Sequence, residues 1–245
     1  MSRYSCLLKC LPILILLNNM AVANEQSFRL ILPEESELMF TDEKAINAFV
    51  SKADDAQEYY QAGIFYFYSA FGRIDRLSQN EGLKKRYMDK SVKLLEKAAK
   101  QTDAHPVVVA SLADAYGGKC RFLGFPELLQ FSKKSLDNYN KAVKIDPTNV
   151  DVRYIRLRSF SYYPYTFYKH FEAIINDDYA IIDEWLNNTT SKKSVKLGDD
   201  VNFFMARYYF YEHKNMEKAK VFLQKIQNTN DHWYSDEYQK MQKRL

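Results

Sequence analysis

Turn-forming residues are scarce in this chain, with seven glycines and six prolines among 245 residues. A fold of many short strands needs a turn for each, so this shortage excludes one and favours long helices. No segment alternates apolar and polar residues with period two long enough to be a strand. Cysteine is rarer still: Cys6, Cys10 and Cys120 are the only three. The histidines, His105, His170, His213 and His232, all stand more than four residues apart, and neither H-E-x-x-H nor C-x-x-C occurs. A metal centre is therefore not expected. A glycine-rich phosphate loop and a G-x-S-x-G elbow are also missing. The net charge of +4 is small and gives no argument for nucleic-acid binding.

Aromatic residues are what the chain has in plenty: 19 Tyr and 16 Phe bring Phe, Trp and Tyr together to 15%. Apolar residues at 47% and charged ones at 27% describe a globular chain, long enough to bury a core. Residues 1–23 read as a cleavable export signal. Arg3 and Lys9 make a positive start, and 11–17 (LPILILL) is an apolar run too short to span a bilayer. Ala21-Val22-Ala23 supplies a small-x-small site for cleavage after Ala23. Cleavage removes Cys6, Cys10 and two cations, and leaves Cys120 without a partner for an internal disulfide. The expected location is periplasmic or secreted, with no membrane span after cleavage.

Residues 24–41, interrupted by Pro33, read as an extended arm. From 42 to 245 a 3.6-residue period predicts a single all-α domain of about ten helices. They are expected to start near 42, 54, 83, 105, 127, 150, 167, 199, 215 and 232, the second running to about 79. His105-Pro106 opens one helix that Gly117-Gly118 is expected to stop, with 119–126 (KCRFLGFP) as an irregular connector. Asp146-Pro147 breaks another, which restarts at Val150.

Recurring helix pairs invite a search for an internal period. In 135–147 (SLDNYNKAVKIDP), Tyr139, Ala142 and Pro147 resemble the second helix and closing proline of a tetratricopeptide repeat. A small Ala lets two helices approach, an aromatic fills the adjoining gap, and Pro ends the helix so the chain can double back. Residues 202–227, with Ala206, Ala219 and Leu223, look like a second copy, and 87–117, with Ala98, Ala113 and Tyr116, like a third. The spacing from Ala98 to Ala142 is longer than the regular unit of about 34 residues. The expected fold is thus an irregular antiparallel helix-pair solenoid. The stretch 112–164 also resembles a family of small bacterial envelope proteins: an alanine-rich helix ending in Gly, a loop, a helix closing in AV-x-x-DP-x-N, and a VR-x-x-R helix running to a proline. That resemblance implies a fold and an envelope compartment, and no reaction or catalytic residue.

Candidate chemistry is thin. Cys120 lies between Lys119 and Arg121, cations that favour a thiolate nucleophile, but CRFLGFP reads better as an apolar loop tucking Cys120, Phe122, Leu123 and Phe125 inward. The pairs Asp54-Asp55, Asp177-Asp178, Asp183-Glu184 and Asp199-Asp200 are adjacent in sequence, so each pair diverges on a helix instead of converging on a bond. Those at 54 and 199 are expected to cap helix starts. Arg153 and Arg156 share a helix face. They suit either a peptide carboxylate or anionic glycan, or carboxylates and carbonyls of the preceding helix that stiffen the corner after Pro147. In 160–171 (FSYYPYTFYKHF), seven of twelve residues are Phe or Tyr, a density that suits core packing or recognition.

These features predict a non-enzymatic scaffold without cofactors, holding a protein or peptide partner in a groove. Arg153, Arg156, Tyr162, Tyr163, Tyr165 and Tyr168 are the expected binding residues. The alternative is a solute-binding accessory component of an envelope transport system, in which the aromatic cluster lines a pocket.

Overall fold

A computed structural model describes residues 28–40, 42–73, 80–163, 168–228 and 234–245. Residues 1–23, read as an export signal, and Pro164, Tyr165 and His232 lie outside these. The described residues form eleven α-helices and no strand. They are α1 (Pro33–Met39), α2 (Glu43–Val50), α3 (Ala56–Ala70), α4 (Glu81–Gln101), α5 (Pro106–Lys119) and α6 (Glu127–Ile145). Then come α7 (Val150–Phe160), α8 (Phe171–Asn187), α9 (Lys192–Arg207), α10 (Met216–Leu223) and α11 (Ser235–Gln242). A short 3₁₀ turn (Cys120–Phe122) follows α5, and a π-helical turn (Tyr208–Glu212) extends α9. Polar side chains open most of the helices: Asp42, Asp55, Asn80, Asn149, Ser191 and Asn215 each accept a first-turn N–H.

Several boundaries differ from the expected ones. The arm contains α1: Pro33 starts that helix instead of blocking one, and the Glu35 carboxylate accepts the Leu32 N–H. α5 runs through Gly117-Gly118, because these glycines serve close packing. A Cβ on Gly118 would lie 2.7 Å from Met88 Cε. α3 ends at Ala70, short of the expected 79. α9 begins at Lys192, so Asp199-Asp200 is buried in mid-helix and caps no start of it. Asp199 instead accepts the N–H groups of Gln227 and Asn228 beyond α10, at 2.8 and 3.2 Å.

Helices pack against their sequence neighbours: α3 on α4, α5 on α6, α7 on α8 and α9 on α10. The odd-numbered members also touch one another in the order α3, α5, α7, α9. Residues 62–70 of α3, 107–116 of α5 and 152–158 of α7 are buried without interruption, so these helices are enclosed on all sides. By contrast α6 buries little beyond Ser135, Tyr139 and Ala142.

The N-terminal segment supplies part of that enclosure. Tyr60 and Tyr68 of α3 donate their hydroxyls to the Arg29 and Ile31 carbonyls, at 2.9 and 2.8 Å. The Phe28 ring meets His105, the N-cap of α5, with centroids 5.0 Å apart. Leu30 N–H donates to Asp151 of α7 at 2.8 Å, and Lys196 of α9 pairs with Glu34 at 2.6 Å. Residues 28–34 therefore reach α3, α7, α9 and the start of α5.

Candidate functional site

The C-terminal ends of α3, α5 and α7 converge on a pocket of about 670 Å³, within the range of small-molecule sites. Phe67 comes from α3 and Phe71 from just past its end, Gly117 and Gly118 from α5, and Leu128 and Ser132 from α6. Tyr162, Tyr163 and Tyr168, from the aromatic cluster, complete the wall. The missing side chains of Gly117 and Gly118 keep α5 close to its neighbours there, since a Cβ on Gly117 would lie 3.2 Å from Ser135 Oγ.

The pocket floor is ionic. Arg158 and Asp114, both buried, form a direct ion pair. Asp114 also accepts the Tyr139 hydroxyl at 3.0 Å, so each of its oxygens has a partner. Arg158 donates to the Tyr68 hydroxyl at 3.0 Å and lies over the rings of Phe67, Tyr68 and Tyr154. Burial works against its charge, and Asp114 with the two phenols outweighs that, holding Arg158 firmly protonated. Burial pushes the Tyr163 phenol up to about 12, so it presents a neutral hydroxyl.

The predicted site residues separate into two places. Tyr163, Tyr168, Phe160 and Phe171 interlock: Phe171 stacks on Phe160 at 4.2 Å and on Tyr168 at 5.0 Å, and Tyr163 meets it edge-on at 5.2 Å. Tyr162 is 39% exposed, with the Arg207 guanidinium 3.8 Å above its ring. Arg153 and Arg156 are elsewhere, buried between α7 and α8. Asp178 takes two bonds from Arg156 and one from Arg153, and Arg153 also reaches Asp177 and the Pro147 carbonyl. Both cations thus stiffen the corner after Pro147, and the carboxylates come from the following helix.

Cys120 lines the pocket with its thiol near the Tyr116 and Leu128 carbonyls and 3.5 Å from Ser132 Oγ. Phe125 is not tucked inward: it is 78% exposed. Among the described residues His105 stands at the N-cap position of α5, His170 precedes α8, and His213 faces Glu172 at 3.3 Å. Asp54, Asp55 and Glu58 crowd together, but Asp55 caps Glu58 N–H and Glu58 accepts Asp54 N–H.

Sequence reasoning missed Arg158 and Asp114. The one available signal was Asp114 itself, a lone acid in an alanine- and valine-rich helix, where an unpartnered carboxylate is costly. Comparison with protein-family models, with curated proteins and with solved structures finds no match.

Proposed function

We propose that this chain is an exported, non-enzymatic helical-repeat module that binds a small solute in the pocket between α3, α5, α6 and α7. The observation that carries the reading is the pocket: aromatic walls, an ionic floor with its bonds already satisfied, and a volume suited to a small molecule. A tetratricopeptide-like solenoid is part of the proposal. Its support is the repeated pairing of each odd helix with its successor and with the next odd helix. The envelope location rests on the signal read in residues 1–23. The partner-groove reading has less support, because Arg153 and Arg156 are engaged by Asp177 and Asp178, and residues 28–34 occupy a face of the odd-numbered row.

Two readouts on the purified chain test it, using fractions of a small-molecule extract. At a hundred times its Kd, a ligand stabilises the fold by about 2.7 kcal/mol, some 5–10 °C in melting temperature for a chain of this size. The same fraction should slow iodoacetamide alkylation of Cys120, followed by peptide mass spectrometry, and Tyr163→Ala should weaken both effects roughly tenfold. If no fraction moves either readout while a protein partner is captured equally by wild type and Tyr163→Ala, the pocket reading fails.

A further inference from the structure

We infer that the pocket takes a single-chain amphiphile: an apolar tail among the aromatic residues and an anionic head at the Arg121 mouth. This rests on the pocket reading above and adds the ligand's chemical class.

Three observations converge. First, the pocket lining carries the Arg121 guanidinium near the surface and, deeper in, the Arg158 guanidinium beside the Asp114 carboxylate. Asp114 is taken up by Arg158 and Tyr139. Arg121 stands at the solvent side, more than half exposed, and its nearest acid is Glu81 at 3.7 Å, a loose surface pair that an anion can displace. Arg121 thus brings a loosely held positive charge to the mouth, while the Arg158–Asp114 floor is internally balanced.

Second, the walls between mouth and floor are ring faces and an aliphatic side chain: Phe67, Phe71, Leu128, Tyr163 and Tyr168. They offer large apolar area and few directional bonds, which suits a hydrocarbon better than a sugar or a peptide.

Third, the loop and helix start beside the mouth expose apolar side chains in a row. Phe125, Leu128 and Leu129 all face solvent, and Leu128 is also a pocket wall. A soluble surface seldom leaves such residues together. Their continuity with the pocket gives an alkyl chain an apolar path from the surface to the interior. In the surrounding segment Lys119 pairs with Asp89 and Lys133 with Asp137, and Arg121 and Lys134 are the cations beside them.

Calorimetric titration of the full chain with dodecanoate, dodecanol and dodecyltrimethylammonium, each below its micelle concentration, tests the inference. Dodecanoate should bind at least tenfold more tightly than the other two, and Arg121→Gln should erase most of that preference. Shortening the chain to decanoate and octanoate should weaken binding by roughly fourfold per methylene. Ser132→Trp, which fills the pocket from α6, should abolish binding of all probes while leaving the unliganded melt intact. Lysophosphatidylglycerol beside dodecanoate separates a membrane-lipid source from a free fatty acid, and tight binding of either supports the shared chemistry. Equal affinity for the three heads, all lost in Ser132→Trp, overturns the anionic class and leaves the pocket standing. Binding that ignores Ser132→Trp places the probes on the exposed loop and overturns the inference. No binding of any probe overturns it too, and the pocket reading falls with it only if the extract fractions also fail.

Discussion

Asp200 sits wholly buried on α9, where Tyr154 of α7 donates its hydroxyl to Oδ2 at 3.1 Å. Loss of water around it, and secondarily the carboxylate of Glu34, push its acid from the usual 3.8 up to about 7. The consequence for stability has a definite sign. Between about pH 4 and 7 the folded chain holds this proton and the unfolded chain does not, so stability falls as pH rises through that window. The contribution is complete below the unfolded value and gone above the folded one. A tenfold difference in proton affinity is worth about 1.4 kcal/mol, so the change across the window is on the order of a few kcal/mol. Asp200→Asn removes the proton exchange. Urea titrations at pH 4 and pH 8 should show wild type losing stability relative to that variant, and parallel curves would refute the assignment.

At the scale of the element, the helix pairs depend on close approach at chosen points. Gly63 of α3 faces Leu95 of α4, which is fully buried, and a Cβ there would lie 2.7 Å from Leu95 Cγ. Gly63→Ala improves helix propensity by up to about 1 kcal/mol, but overpacking costs about 1–3 kcal/mol. A net loss is expected in the denaturation midpoint, and Leu95→Ala in the same chain should recover part of the overlap while adding a cavity. Helix identity was legible in the sequence wherever one face alternates with a polar one, as in α4 and α6. It was less so where tertiary contact overrides local rules. Pro33 reads as a breaker until Glu35 is seen bonding back to Leu32, and Gly117-Gly118 reads as a stop until Met88 and Phe71 are seen against them. The site was half legible. The aromatic cluster announced itself by density, and Tyr162, Tyr163 and Tyr168 do line the pocket. Choosing among Arg153, Arg156 and Arg158 required knowing the rotation of α7: the first two meet α8, and the third meets Asp114 on α5. Nothing in one sequence links residues 114 and 158.

For the whole molecule, the decisive piece is residues 28–34. Hydrogen bonds and ion pairs from this short segment reach α3, α7 and α9, and the Phe28 ring reaches the start of α5. Leu30, Ile31 and Leu32 are buried among them. Ile31→Ala should cost about 2–5 kcal/mol and keep a single sharp melt. Deletion through residue 40 should do more than weaken the fold. Calorimetric and van't Hoff enthalpies should part company, the mark of lost two-state behaviour.

An array whose members touch only their neighbours can fray from either end and can be lengthened by copying one more pair. Here residues 28–34 are bonded to an early member, α3, a middle one, α7, and a late one, α9, at once. Inserting a helix pair anywhere between α3 and α9 would carry those anchor points apart, beyond the reach of seven residues at about 3.3–3.6 Å each. Residues 28–34 therefore fix the spacing from α3 to α9: no unit can be added between them without breaking those bonds.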